Sequence, residues 1–476
     1  LRRRQRQMCI RDRLCNINIM KKNLIHQILF LFCIGGCALT IIIASSCEDK
    51  TSAQVYDPNA PIKVTNFYPD SGGIATQVIL NGENFGTDLS NIEVYFNNKK
   101  AALIGSLGNK LYVITPRRPG DGMPDDGDPD HDQVEITVKV GEQSAVYDKK
   151  FDYHIQTVVT TLCGRPGTSG VKVGTLGETE FPEVGFLAVD AEDNLFVCPR
   201  ELWGANKLIL INEKENQSSI IIDNAGQYPL NQPCIIDNGL GLVIPTDGGN
   251  TFWSVNSVDF WTPRRRDYMA ADGVDASKVN TTYKHSFAYC ELDNHFYCRT
   301  KDANFFLKID GKTGYAWVIE VGNNDLLATS DCYMTFSRTD PKKLYMAFTN
   351  QHCIGVFEDI TDPTREGNFR IYAGDKGRAG HADGQETEAQ FSSPRQLVLD
   401  EEENLYIADS GNHCIRKVTP EGVVSTVIGN PNTSGYKDGT PEIALFTEPW
   451  GLAIDSEGTI YIGDKDNRCV RKLSIE

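Results

Sequence analysis

The chain has 476 residues with an ordinary hydrophobic content and 42 glycines. It is too long for one ordinary core and too apolar for a disordered protein, so two or more turn-rich domains are expected. Its formal net charge is −17, from 64 acidic and 47 basic residues. So acidic a surface repels phosphate backbones, which excludes nucleic acid as the expected partner.

The N-terminal residues have the composition of leader sequences. Residues 1–19 open with Leu and have no periodicity, so they are predicted to lie upstream of the true start at Met20. A basic cytoplasmic tail is the alternative. Two lysines then precede an apolar run over residues 24–43, and small residues follow it up to Cys47.

Residues 20–46, followed by Cys47, resemble the signal peptide of bacterial lipoproteins. The resemblance implies that Cys47 is lipidated and becomes the mature N-terminus. An uncleaved membrane helix is the alternative, because the apolar run is nearly long enough to span a bilayer. The two acidic residues after Cys47 resemble a signal for the outer surface, so an outer-membrane lipoprotein facing the surface or the periplasm is expected. The chain after residue 46 keeps 39 basic and 63 acidic residues, a net charge of −24.

A polar linker at residues 47–60 precedes a segment, residues 61–154, of short alternating strands and frequent turns. The motifs P-x-S-G-G, L-x-G-x-N-F-G, V-x-F and I-T-P occur there in this order. They resemble the IPT/TIG family of immunoglobulin-like domains. The resemblance implies a small β-sandwich that acts as a binding or spacer module and carries no chemistry.

One acidic loop, Asp121 to Asp132, stands out within this segment. Clustered carboxylates with glycine can hold calcium, but Pro124 and Pro129 interrupt the usual spacing. A solvated, flexible loop is therefore the preferred interpretation, calcium is the alternative, and no cofactor is predicted.

Nine cysteines follow Cys47, and none forms a CxxC pair, so the sequence does not support a zinc site. Three of them, Cys353, Cys414 and Cys469, occupy one repeat position. Equivalent positions in different repeats lie too far apart to bond, which favours free buried thiols. Disulfides in an oxidising periplasm are the alternative.

The C-terminal part of the chain is repetitive. Residues 383–418 align with residues 438–473 without a gap, and a unit of this length with four short strands predicts a propeller blade. The pattern N-L-Y-I-A-D-S-x-N-x-x-I-R-K-V resembles the NHL repeat family. Degenerate units are traced around residues 187–197, 240–244, 295–298 and 343–346, which predicts a six-bladed β-propeller over residues 157–476.

A second pair of similar segments predicts how the propeller closes. VVTTLCGRPGTSG at residues 158–170 aligns with VVSTVIGNPNTSG at residues 423–435, the outer strand of its unit. The last unit lacks that strand. A strand starting near Thr157 is therefore expected to complete the last blade and close the ring.

Residues that break the repeat are the candidates for ligand binding. Arg395 and Trp450 occupy equivalent positions at the start of inner strands, whereas Arg200 and Trp203 lie in an insertion specific to one blade. An indole face with arginine donors suits a sugar ring, although packing into the channel wall is the alternative. The repeated turn residues, such as Asp409, are interpreted as architecture.

No catalytic motif is recognised in the chain, and no residue is predicted to be catalytic. Lipoproteins that join such modules resemble accessory proteins of bacterial glycan uptake. The leading hypothesis is therefore a non-enzymatic, lipid-anchored protein whose propeller binds a glycan or a surface or periplasmic protein. A metal-dependent lyase or hydrolase and a protein-interaction scaffold are the alternatives.

Overall fold

The structure is a computed structural model that describes residues 56–116, 131–200, 206–226, 228–279, 284–299, 305–321 and 331–475. These residues are mostly strands, which confirms the all-β prediction. Within these ranges no helix has the length and apolarity needed to cross a bilayer. The predicted leader, signal peptide and lipidation residue Cys47 lie outside the described residues, as do residues 117–130 of the acidic loop.

The first domain is a sandwich of three small sheets with the strand orders β1-β3-β7-β6, β10-β9-β4-β5 and β2-β11-β8. Its strands are β1 (Lys63–Tyr68), β2 (Ser71–Gly72), β3 (Gln77–Gly86), β4 (Ile92–Phe96), β5 (Lys99–Lys100), β6 (Ala102–Ser106), β7 (Gly108–Ile114), β8 (His131–Val134), β9 (Ile136–Val140), β10 (Gln143–Val146) and β11 (Phe151–His154). Alternate residues point inward, as in β4, where Ile92, Val94 and Phe96 are buried. They join one core shared by the sheets.

The strand β12 (Thr157–Gly164) follows, and then five sheets succeed one another along the chain. Sheet 1 contains β13 (Val184–Val189), β14 (Leu195–Pro199), β15 (Leu208–Asn212) and β16 (Gln217–Ile222). Sheet 2 contains β17 (Cys234–Ile236), β18 (Gly241–Pro245), β19 (Thr251–Asn256) and β20 (Arg264–Asp267). Sheet 3 contains β21 (Met269–Ala270), β22 (Ala288–Cys290), β23 (His295–Arg299), β24 (Phe305–Asp310) and β25 (Tyr315–Glu320).

The remaining sheets are the most regular. Sheet 4 contains β26 (Cys332–Phe336), β27 (Leu344–Phe348), β28 (Cys353–Phe357) and β29 (Phe369–Ala373). Sheet 5 contains β30 (Gly384–Gln385), β31 (Pro394–Leu399), β32 (Leu405–Asp409), β33 (Cys414–Val418) and β34 (Val423–Gly429). Sheet 6 contains β35 (Pro449–Ile454), β36 (Ile460–Asp464) and β37 (Cys469–Ile475), with β12 as its fourth strand.

Helical structure in the described ranges is short and lies between strands. One α-helix, α1 (Ala276–Val279), accompanies the 3-10 helices η1 (Leu89–Asn91), η2 (Leu176–Glu178), η3 (Asp237–Gly239), η4 (Ser257–Asp259), η5 (Thr349–Gln351), η6 (Glu386–Glu388) and η7 (Ser410–Asn412).

The inner strands of sheets 1 to 6, namely β13, β17, β22, β26, β31 and β35, surround a central channel, and the short strands β21 and β30 lie at the opposite edges of sheets 3 and 5. Each inner strand contacts the inner strand of the next sheet, and β35 contacts β13, so the contacts return to their starting point. The strands in the middle of each sheet are buried on both faces because the neighbouring sheets cover them. This explains the continuous apolar sequence of strands such as β32.

The strand β12 pairs antiparallel with β37, from Thr157 opposite Ile475 to Gly164 opposite Cys469. The backbone of Val159 also exchanges two hydrogen bonds with Gly439, of 2.9 and 3.0 Å. Sheet 6 therefore contains both the beginning and the end of this region of the chain.

Two buried arginines, Arg416 and Arg471, tie strands to loops at equivalent positions of sheets 5 and 6. The Arg471 side chain is 0% exposed. Its Nη1 donates to Asp464 Oδ2 at 2.8 Å, and its Nε donates to Asp438 Oδ1 at 3.0 Å. Arg416 repeats both contacts with Asp409 and Asp383. The turn aspartates are thus bound within the protein, which is the structural role that the sequence indicated for them.

The nine cysteines after Cys47 are unpaired in the structure, and all except the partly buried Cys234 are buried. Burial raises the pKa of the Cys298 thiol to about 12. The buried thiols act as small apolar side chains.

Candidate functional site

The channel has two ends, which differ in character. We call the end where the inner strands begin the N-terminal mouth, and the end where they finish the C-terminal mouth. The residues that break the repeat meet at the N-terminal mouth, and the turns that follow the inner strands, with aspartates such as Asp190 and Asp455, surround the C-terminal one.

Trp450 and Arg395 lie against each other at the N-terminal mouth. Each is the second residue of its strand, in β35 and β31. The Arg395 Cζ lies 3.6 Å from the centroid of the Trp450 ring. The Arg395 Nη1 donates to the Tyr333 Oη at 2.9 Å, which fixes the guanidinium against the indole.

Arg200 approaches the same indole from sheet 1. Its Cζ is 4.9 Å from the Trp450 ring centroid, and its Nη1 donates to Asn231 Oδ1 at 3.3 Å. Asn231 is fully buried and also donates to the Lys284 carbonyl at 2.7 Å and to the Asp247 carboxylate. Arg200 is therefore held by a side chain that is itself fixed by sheets 2 and 3.

His285, just before β22 of sheet 3, and Asp331, just before β26 of sheet 4, also lie at this mouth. The His285 Nε2 lies 3.5 Å from Asp331 Oδ1. Burial lowers the pKa of the His285 imidazole, although Asp331 acts in the opposite direction. Tyr333 packs on Phe186 with ring centroids 5.0 Å apart, and burial raises the pKa of its phenol. Side chains of all six sheets thus meet at one mouth.

The cations at this mouth differ in how they are neutralised. The Lys465 Nζ lies 5.0 Å from the Trp450 ring centroid, but it also pairs with Glu448 at 3.2 Å and with Asp466 at 2.7 Å. Within the described ranges, neither Arg200 nor Arg395 has a carboxylate oxygen within 4.0 Å. Both are partly buried.

Two buried donors at the N-terminal mouth also lack a partner in the described part of the chain. They are the Nε1 of Trp450 and the Nε of Arg395. Buried donors almost always have a hydrogen-bond partner. Two buried donors without one at a channel mouth therefore point to an acceptor on another molecule.

Glutamine side chains cross the channel below this mouth. The Gln396 amide donates to the Leu187 carbonyl at 2.7 Å and accepts from the Leu187 N–H at 3.1 Å. The Gln232 Nε2 donates to the Met334 carbonyl at 2.9 Å. These bonds join sheet 5 to sheet 1 and sheet 2 to sheet 4, and they form the floor of the N-terminal mouth.

The C-terminal mouth holds a cavity of about 560 Å³. Its rim includes Asp190 and Asp455, which belong to turns that recur from sheet to sheet. Asp190 Oδ1 accepts from the backbone N–H groups of Glu192 and Asn194, both at 2.8 Å. Because these carboxylates are occupied by their own turns, this cavity is the weaker candidate for specific recognition.

The structure brings together three of the four residues predicted to bind a ligand: Arg395, Trp450 and Arg200. Trp203 lies outside the described residues. One interpretation changes, because Trp450 is only 9% exposed and Arg395 covers its face. No open indole face is left for a sugar ring, so the guanidinium groups are the donors that this site offers.

Sequence reasoning missed Tyr333, His285, Asp331 and Asn231. They belong to sheets 2 to 4, in which the repeat is degenerate. A signal existed for Tyr333, which is the second residue of β26, as Arg395 and Trp450 are of their strands.

No metal site is assembled in the described ranges, where no three candidate ligands of the His, Cys, Asp or Glu type meet. The acidic loop at Asp121 to Asp132 falls almost entirely outside these ranges, so calcium binding there stays an untested alternative.

Family models match two parts of the chain. The IPT/TIG domain matches residues 61–153, and the NHL repeat matches residues 391–418 and 446–473. The resemblances to the IPT/TIG and NHL families are thereby confirmed, whereas the resemblance to a lipoprotein signal stays a prediction. The chain contains an IPT/TIG domain followed by NHL repeats.

Solved structures from Bacteroides share the fold. A protein of unknown function from Bacteroides thetaiotaomicron VPI-5482 superposes with a TM-score of 0.71 at 24% identity, covering 89% of this chain and 100% of that one. An auxiliary nutrient binding protein from Bacteroides ovatus ATCC 8483 superposes with a TM-score of 0.59 at 24% identity, with the same coverage. At this identity the likeness shows the fold alone.

Among curated relatives, NHL repeat-containing protein 2 of Gallus gallus is 39% identical over 84 residues, which are 17% of this chain and 11% of that protein. The chain spans little more than a tenth of the length of the curated relatives it matches first. The match covers the repeats and shows no activity of the whole protein.

Proposed function

We propose that this protein is a non-enzymatic binding protein whose propeller holds a glycan at the N-terminal mouth. The observation that carries the proposal is the convergence there of side chains that differ from sheet to sheet, with buried donors left unpaired. Identical side chains in every sheet are enough to build the propeller, whereas recognition of a specific ligand requires side chains that differ from sheet to sheet. A protein of the same fold from Bacteroides ovatus is an auxiliary nutrient binding protein, which supports a binding role, and we propose that this role is accessory to glycan uptake.

A glycan suits this mouth better than a protein does. The donors come from several sheets and converge on the Trp450 indole, and such a convergent set of donors suits a saccharide residue better than a flat protein surface. Sugars are recognised by several fixed hydrogen-bonding groups, and the ring of contacts around Arg395 supplies them. The IPT/TIG domain, which carries no cluster of this kind among its described residues, acts as the spacer.

The glycan proposal is tested by affinity electrophoresis of the purified protein through gels that contain single polysaccharides. At least one polysaccharide should retard the protein. Arg200→Ala should weaken that binding at least tenfold, because it removes a donor fixed at the N-terminal mouth. Ser456→Trp, which blocks the rim of the C-terminal cavity, is the matched control and should bind as the unmodified protein does.

Two outcomes would contradict the glycan proposal. One is a folded protein that no polysaccharide retards. The other is loss of binding in Ser456→Trp with full binding in Arg200→Ala, which would move the site to the C-terminal mouth.

We also propose that the protein is anchored by a lipid on Cys47 in the outer membrane, facing the surface or the periplasm. The proposal rests on the signal-like sequence of residues 20–46. Expression in a bacterial host with a radiolabelled fatty acid should label the protein, and Cys47→Ser should remain unlabelled. Equal labelling of both, or labelling of neither, would contradict the anchor.

A further inference from the structure

We infer that the N-terminal mouth takes the anionic group of an acidic saccharide, a uronate carboxylate or a sulfate. This inference rests on the proposed glycan binding and names the chemical class of the ligand. It starts from the charges of the residues that surround Trp450.

Two partly buried guanidinium groups lie beside that indole. Arg395 and Arg200 have their Cζ atoms 3.6 and 4.9 Å from the Trp450 ring centroid. In the described part of the chain no carboxylate oxygen lies within 4.0 Å of either, although Lys465 beside them has two carboxylate partners. A partly buried cation is costly when it is unpaired, so an incoming anion would relieve a cost that the free protein bears.

The two unpaired polar atoms beside the Trp450 indole are both donors, the Arg395 Nε and the Trp450 Nε1. Among the described residues of this mouth, an unpaired acceptor, the Gln232 Oε1, lies in the floor below them. A neutral sugar hydroxyl brings a donor together with its acceptor, whereas a carboxylate or sulfate only accepts. The donor set therefore matches an anion better than it matches a hydroxyl.

The guanidinium groups are also fixed in advance. The Tyr333 Oη accepts a hydrogen bond from Arg395 at 2.9 Å, and the Asn231 Oδ1 accepts one from Arg200 at 3.3 Å. Donors that do not have to be ordered on binding lose less entropy when the ligand arrives. The arrangement accordingly favours recognition of a single anionic group in a defined position.

The charge of the whole chain works against unspecific binding of anions. With a net charge of −17, the protein repels polyanions at long range. Affinity for an acidic saccharide therefore has to come from the local donors, and it should disappear when they are removed.

The test compares ligands that differ only in charge. Oligogalacturonate, the same oligosaccharide fully methyl-esterified, and chondroitin sulfate oligosaccharides with and without their sulfates are titrated calorimetrically into the full protein. At least one acidic ligand should bind ten times or more tightly than its matched partner. A carboxylate preference and a sulfate preference are read from the two separate pairs.

The matched variants are Arg395→Gln and Arg378→Gln. Arg395→Gln should reduce binding of the acidic ligand at least tenfold, and by a larger factor than it reduces any binding of the neutral partner. Arg378, whose side chain is 71% exposed and lies outside this mouth, should tolerate the same change without effect. Thermal melting of both variants checks that the fold is retained, and Arg200→Gln supplies a second variant if Arg395→Gln does not fold.

The outcomes separate this inference from the function on which it rests. Equal binding of the charged and neutral partners would overturn the anionic class and leave glycan binding standing. Binding of the acidic ligand that survives both arginine substitutions would overturn the site. Binding of no saccharide of either kind would overturn the inference together with the proposed function.

Discussion

Val159→Asp is expected to lower the free energy of unfolding of the propeller by about 3 kcal/mol or more. Val159 lies at the centre of β12, is 0% exposed and belongs to a buried cluster with Leu452, Ile462 and Leu473. A carboxylate there would be buried among apolar side chains and would weaken the pairing of β12 with β37. Denaturant unfolding followed by tryptophan fluorescence measures the change.

The neighbouring residue provides the control for Val159→Asp. Thr160 is exposed on the opposite face of the same strand, so Thr160→Asp adds the same charge without burying it. Its effect should stay within about 0.5 kcal/mol. Equal destabilisation by the two substitutions would mean that charge on the strand, and not the packing of β12 into sheet 6, causes the loss.

Arg471→Met should destabilise the propeller by about 3–5 kcal/mol, because it leaves a buried aspartate without its cation. Arg471 bonds Asp464 and Asp438 and also donates to the carbonyls of Lys437 and Leu445, at 2.8 and 3.2 Å. Methionine has a similar volume, so the loss comes from the uncompensated charge and from the carbonyls. The same denaturant measurement applies.

A second substitution distinguishes charge from packing at this site. Adding Asp464→Asn to Arg471→Met removes the unpaired carboxylate and should recover part of the stability. Arg468→Met changes a partly exposed arginine of the same turn and should have little effect. If the double variant is less stable than Arg471→Met alone, the buried charge is not the main cause.

The sequence predicted best where the repeat is regular. The register of sheets 5 and 6 follows from residues 383–418 and 438–473, and this register placed Arg395 and Trp450 at equivalent positions. The second strands β18, β23 and β27 also lie where degenerate units were traced. Apolar four-residue runs survive in these sheets because burial between neighbours requires them, even when turn residues diverge.

The composition of the site could not be predicted to the same extent. The contact of Arg200 with Trp450 joins the first and the last sheet, and no local pattern signals a contact between residues so distant in the chain. Tyr333 and His285 lie in units without a clear register. That Arg395 covers the indole is a matter of side-chain packing, which the repeat pattern does not encode.

Because sheet 6 combines β12 with β37, it can form only after the whole propeller has been synthesised. During synthesis β12 emerges before any other strand of the propeller, and β37 emerges last, so Val159 meets Leu473 only after the whole region has been made. The pairing of highest sequence separation is therefore the final one available, and such pairings slow folding because a long loop must be closed first. Until then β12 lacks its partner strand, and an unpaired strand can pair with other chains.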